Sequence, residues 1–153
     1  IGLVGSEMCI ETGVLSVEKK LFVETNNGTN RQIRPVTPEQ PLRIGDKVIV
    51  RLTIRTDREM NYVFLKDLRA GCFEPADQLS GPESRDGIWY YRSPKDVSEN
   101  FFINRLPEGA FVLEYPVYVS RSGEYAGGIS TIQCMYAPEF VSHTAGESLR
   151  IMP

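Results

Sequence analysis

The chain has 153 residues, 41% hydrophobic, 24% charged and 10% aromatic, the composition of one globular domain and not of a disordered or fibrous segment. Its 17 basic and 20 acidic side chains leave a net charge of -3, a balance unsuited to neutralising a phosphate backbone, so nucleic acid is set aside as a partner. A single histidine, His143, and three cysteines with no Cys-x-x-Cys pair remove the His-rich metal sites and the zinc and redox frameworks.

No apolar run reaches the roughly 20 residues of a bilayer crossing, and no basic start followed by an apolar core opens the chain, so no direct membrane insertion is expected. The first residue is Ile1 and not Met, which points to a chain cut from a longer parent polypeptide or processed. Residues 1–14, with Gly2, Gly5 and Gly13 and little alternation, read as a lead-in from the preceding part of that parent, and residues 15–153 read as the domain.

From there the elements follow in order. Residues 15–23 predict a strand, and Asn26-Asn27-Gly28 a turn after it; Asn27-Gly28-Thr29 also fits a glycosylation acceptor but reads better as that turn. Ile44-Gly45-Asp46 precedes the clearest strand, residues 47–55, where Val48, Val50, Leu52 and Ile54 alternate with Lys47, Arg51, Thr53 and Arg55. Ile49 is the one apolar residue on the expected wet face. Residues 62–68 predict another strand. Residues 73–86, with Pro75, Gly81 and Pro82, read as a long loop.

Strands at 88–92 and 97–103 come next, then the turn Pro107-Glu108-Gly109 and a strand at 111–119. In that strand Phe111, Leu113, Tyr115, Val117 and Val119 share a face opposite Glu114 and Tyr118, and Pro116 favours an edge or a bulge. Residues 129–136 and 148–152 complete the set. About eight strands joined by hairpin-like turns, with no 3.6-residue stripe long enough for helical crossovers, predict an all-β, antiparallel, immunoglobulin-like β-sandwich of about seven to nine strands.

Little in this pattern performs chemistry. His143, in Ser142-His143-Thr144-Ala145-Gly146, reads as a solvated loop histidine, and pairing it with Cys134 for catalysis would need the fold to bring the two together. Cys134 and Cys72 read as buried structural thiols, while a disulfide among Cys9, Cys72 and Cys134 stays open. Cys9-Ile10-Glu11-Thr12 stops one residue short of a Cys-x-Glu-Gln thioester tetrad, because Thr12 has no acyl group to give. Gly127-Gly128 is too short for a phosphate loop. Trp89, Tyr90 and Tyr91 suit cross-strand packing better than a sugar platform, since Tyr90 must face away from its two neighbours.

The order and spacing of several pieces resemble the C-terminal macroglobulin-like domain, the tenth, of bacterial alpha-2-macroglobulins. The pieces are Gly45-Asp46-Lys47-Val48, Tyr62-Val63, Lys66-Asp67-Leu68-Arg69-Ala70-Gly71, Phe73-Glu74-Pro75 and Leu106-Pro107-Glu108-Gly109. The most specific is Cys134-Met135-Tyr136-Ala137-Pro138-Glu139 followed by Thr144-Ala145-Gly146. Arg69-Ala70-Gly71 replaces a frequent Pro-Ala-Gly step and Cys72 departs from the pattern, differences that touch a turn and a packing position.

The resemblance implies a macroglobulin-type sandwich that makes no bonds itself, is no enzyme and needs no cofactor. It implies a place in a protease-trapping parent, outside the cytoplasm in the periplasm or cell envelope of a bacterium. There the domain packs against a thioester-type helical domain and holds it closed, meeting proteases only through the full-length protein. It further implies that Met135 and Tyr136 shield the thioester region as an apolar lid. Against that, alternation with Ile132 and Cys134 places Tyr136 in the core and leaves only Met135 exposed. A different function, a stand-alone adhesin or carbohydrate-binding sandwich, would use residues 89–91 or 73–86.

Overall fold

The computed structural model describes residues 14–28, 30–37, 39–76, 81–85, 88–95, 97–146 and 148–153. Most of the lead-in, Cys9 with its near-tetrad, Thr29 and residues 77–80 and 86 of the expected loop therefore lie outside the described residues.

Strand is the only regular structure among them. The elements are β1 (Leu15–Asn27), β2 (Asn30–Pro35), β3 (Leu42–Arg43), β4 (Lys47–Thr56), β5 (Met60–Leu68), β6 (Phe73–Pro75) and β7 (Gly81–Arg85). They continue as β8 (Ile88–Pro94), β9 (Ser98–Leu106), β10 (Gly109–Val119), β11 (Gly123–Ala126), β12 (Ser130–Cys134), β13 (Ala137–His143) and β14 (Ser148–Met152). One sheet has the order β2-β1-β4-β10-β6, the facing sheet β13-β12-β5-β9-β8-β7, and a small third sheet β11-β14-β3.

All-β and a sandwich are as expected. The strand count is higher because short segments, β3 and β6 among them, gain their ladders from distant partners, and because the supposed 73–86 loop contains β6 and β7. One pair is not antiparallel: β14 runs parallel to β3 through Ile151 opposite Leu42 and Met152 opposite Arg43.

The core lies between the two large sheets, where the period-2 faces meet. Val48, Val50, Leu52 and Ile54 of β4 and Leu113, Tyr115 and Val117 of β10 come from one side, and Val63, Leu65, Phe101, Ile103 and Ile132 from the other. Phe101 and Tyr115 meet across the interface with ring centroids 6.1 Å apart.

Ile49 is a correction: only 4% of it is exposed, although it occupies the outward register. It stands between Phe22 of β1 and Pro116 of β10, and Arg51 caps the Phe22 ring at 4.4 Å, so that face is covered by apolar stems instead of being wet. Pro116 fits its strand for a reason of direction. Its carbonyl accepts from Ala76 N on the flank away from β4, so the missing N–H faces the side where β6 ends and costs no bond to β4.

The turns divide. Asn27 pairs with Asn30, and Gly28 takes φ 71°, so this turn does close a hairpin. Pro107-Glu108-Gly109 instead carries the chain from β9 in one sheet to β10 in the other, and Ile44-Gly45-Asp46 links β3 to β4 across sheets.

Candidate functional site

Two features stand out from the hydrophobic frame: a hairpin tip that presents an aromatic ring to solvent, and a knot of charge sealed inside. β12 ends at Cys134, which pairs with Ala137, so Met135 and Tyr136 form a two-residue connection to β13. The ladder then shifts by several residues, since Gln133 already opposes Val141. Alternation therefore stops one residue before Met135, and Tyr136 leaves the core register: it is 78% exposed and Met135 53%.

The tip is not free to wave. Met135 N donates to Tyr62 O at 2.8 Å, and the Tyr136 ring meets the Tyr62 ring edge-on, centroids 4.9 Å apart at 67°. Tyr62 itself has φ 60°, the one positive value at a non-glycine among the described residues. A left-handed backbone costs an L-residue with a bulky side chain roughly 1–2 kcal/mol, so Tyr62 is held there by the pairing of Asn61 and Val63 with Arg105 and Ile103 on β9. No sequence signal marks such a residue, because Tyr in a strand reads as ordinary.

Beyond the tip, the outer face of the second sheet carries a row set by register that is apolar except at Gln133. Val141, Gln133, Phe64, Phe102 and Tyr91 lie opposite one another from β13 to β8, and Phe64 stacks on Phe102 with centroids 4.8 Å apart. Trp89 projects from the same face of β8, while Tyr90 is buried, as alternation required. Lys66 and Asn104, both exposed, flank the row along β5 and β9.

The internal knot joins both sheets. Asp67, on the inward register of β5, is fully buried; Lys19 of β1 reaches it at 2.7 Å, Ser130 Oγ donates to it at 2.7 Å, and the Tyr115 hydroxyl of β10 donates to its other oxygen. Lys19 also donates to Leu68 O and Gly127 O, both at 3.2 Å, which exhausts its three protons. Gly128, with φ 79°, lies so near Leu68 that a Cβ would sit 2.1 Å from its carbonyl oxygen.

Beside it, Glu99 accepts from Arg92 Nε at 2.6 Å and from Arg69 Nη1 at 3.1 Å. Burial pushes the Glu99 carboxyl upward against the pull of these two guanidinium groups. Burial likewise holds the Tyr115 hydroxyl in its protonated form, with the Asp67 charge adding to the effect. The warning signs were in the sequence: Lys19 lies between Val17 and Leu21 at i±2 and Glu99 between Val97 and Phe101, while Asp67 and Arg92 follow inward-facing Leu65 and Tyr90 two residues before them.

A groove of about 550 Å³ opens next to this knot, lined in part by Leu21, Val36, Pro41, Gly127 and Leu149. Lys19 lines it too but is engaged with Asp67 and two carbonyls, so it does not offer a free charge there. No group of three or more His, Cys, Asp or Glu side chains is placed to hold a metal among the described residues.

The expected thiols are in place. Cys72 and Cys134 are buried and free, so no bridge joins them; Cys134 Sγ points to Asn61 O at 3.5 Å, and burial raises the Cys72 thiol. His143 sits on β13 and not in a loop; it is exposed and opposes Thr131, three residues along β12 from the inward-facing Cys134. The two do not form a catalytic pair.

The family model described as "Bacterial Alpha-2-macroglobulin MG10 domain" matches residues 15–139. The chain belongs to that family. As an MG10 domain it superimposes on Salmonella alpha-2-macroglobulin, in a tyrosine-to-glycine variant, with a TM-score of 0.71 at 21% identity over 94% of this chain and 9% of that one. Escherichia coli alpha-2-macroglobulin activated by porcine elastase gives 0.72 at 18% identity over 94% of this chain and 13% of that one. At these identities the likeness speaks for the fold. A Dictyostelium discoideum protein, "Circularly permutated Ras protein 2", is 28% identical over 109 residues, 71% of this chain and 3% of the relative. The MG10 domain thus spans a small part of each.

Proposed function

We propose that this MG10 domain is a non-catalytic docking module of a protease-trapping parent, that it packs against a thioester-type helical domain, and that the Met135–Tyr136 tip is the lid that holds that domain closed. The observation that carries the reading is the exposed Tyr136 ring, presented at a short hairpin tip and steadied on Tyr62. An apolar thioether and an aromatic ring held out of the core are suited to covering a water-sensitive bond on a partner. The row from Val141 to Tyr91 extends the apolar surface such a neighbour would cover. Proteases are met through the full-length protein, which this reading places outside the cytoplasm in the bacterial periplasm or cell envelope.

The test is Met135→Glu in the intact parent, with the rate of thiol release as readout, or the rate of domain separation where the parent has no thioester. Acceleration supports the lid; an unchanged rate removes it.

A second reading, a carbohydrate-binding module, draws on Trp89 and Tyr91, which project from one face of β8. Glycan-array binding abolished by Trp89→Ala would favour it over docking.

A further inference from the structure

We infer that Tyr62 is a positioning residue for the lid, its left-handed backbone and its ring together fixing the direction in which Tyr136 points; the inference rests on the lid reading above. Three observations converge on this one residue. Its carbonyl accepts from Met135 N at 2.8 Å, which ties down the first residue of the tip. Its ring meets the Tyr136 ring edge-on at 4.9 Å, which ties down the second. Its φ of 60° falls where the alternation of β5 breaks, with Asn61 and Tyr62 both exposed between buried Met60 and buried Val63.

Packing does not account for a tyrosine here. The ring is 49% exposed, so it fills no core space that would offset the strain, and glycine would adopt the same φ without strain. What a tyrosine adds, and glycine lacks, is the face against which Tyr136 rests. An aromatic ring at an exposed tip would otherwise sample several χ1 wells, and a lid that must meet a partner in one pose would be ready only part of the time.

The experiment uses Tyr62→Gly and Tyr62→Phe, with Tyr136→Gly as reference. In the 153-residue chain, the χ1 population of Tyr136 is read from three-bond couplings and its ring protons from their ring-current shifts, alongside the melting temperature. In the full-length parent, native electrophoretic mobility without protease is compared with that of elastase-treated wild type.

Tyr62→Gly should average the Tyr136 rotamers, erase the ring-current shift and leave the melting temperature at or above wild type. It should also raise the open form of the parent several-fold, and Tyr62→Phe should behave as wild type throughout. Unaltered Tyr136 rotamers in Tyr62→Gly, or a lowered melting temperature, would overturn the inference in favour of plain packing. Wild-type mobility for Tyr62→Gly while Tyr136→Gly shifts would overturn it with the lid intact. If Tyr136→Gly itself leaves mobility unchanged, the lid reading fails, and the role of Tyr62 in serving it fails too.

Discussion

Lys19→Met keeps most of the side-chain volume but removes the ammonium that lies 2.7 Å from Asp67 Oδ1. Asp67 is fully buried, and the Ser130 and Tyr115 hydroxyls that remain can orient its charge but cannot neutralise it. Deleting one member of a buried pair costs about 3–5 kcal/mol, because the surviving charge stays in a medium of low dielectric constant. The carbonyls of Leu68 and Gly127 lose a donor as well, and at Gly127, which lines the groove, water can take its place.

For a chain of this length each kcal/mol moves the melting temperature by about 2–4 °C, so a fall of roughly 6–20 °C is expected. Urea unfolding with an unchanged m-value gives the free energy directly. Adding Asp67→Asn should restore part of the loss, and the departure from additivity measures the pair. A loss below about 1 kcal/mol, or strict additivity in the double variant, would refute the view that a charged Asp67 is held inside the sandwich by Lys19.

The same geometry yields further expectations. Gly128→Ala places a Cβ against the Leu68 carbonyl at a left-handed backbone, and should cost about 2–4 kcal/mol in urea titration, well beyond an ordinary surface change. Tyr115→Phe withdraws one donor from buried Asp67 and should cost about 1–3 kcal/mol by the same measurement. Cys72, buried with its thiol raised, should resist iodoacetamide at pH 8 in the native chain and react within minutes in urea, read by mass spectrometry; fast native labelling would contradict its burial. Tyr136→Ser in the isolated chain should cost no more than about 0.5–1.5 kcal/mol, the worth of its edge-on contact with Tyr62, since the rest of its ring is in solvent.

The sandwich was legible because alternation is local. Val48, Val50, Leu52 and Ile54 declare an inward face without knowing what covers it, and the buried strands of both large sheets announce themselves in the same way. Family membership was legible for a related reason, since short motifs such as Cys134-Met135-Tyr136-Ala137 stay recognisable in order even where each is weak alone.

What local pattern could not decide was anything set by a distant partner. β3 and β6, two and three residues long, are strands only because β14 and β10 supply the other half of their ladders. Alternation alone runs β12 on to Tyr136 and places that residue in the core, but the strand ends where Cys134 meets Ala137. Ile49 read as wet until the strands on either side brought Phe22 and Pro116 beside it. Lys19 and Asp67 lie 48 residues apart in the chain and meet at 2.7 Å because two separate sheets close on each other, and the backbone of Tyr62 takes its left-handed turn between paired neighbours. Burial preference is a property each residue carries with it; the identity of the neighbour that satisfies a charge, covers a face or holds a ring at an angle exists only once the sheets have packed.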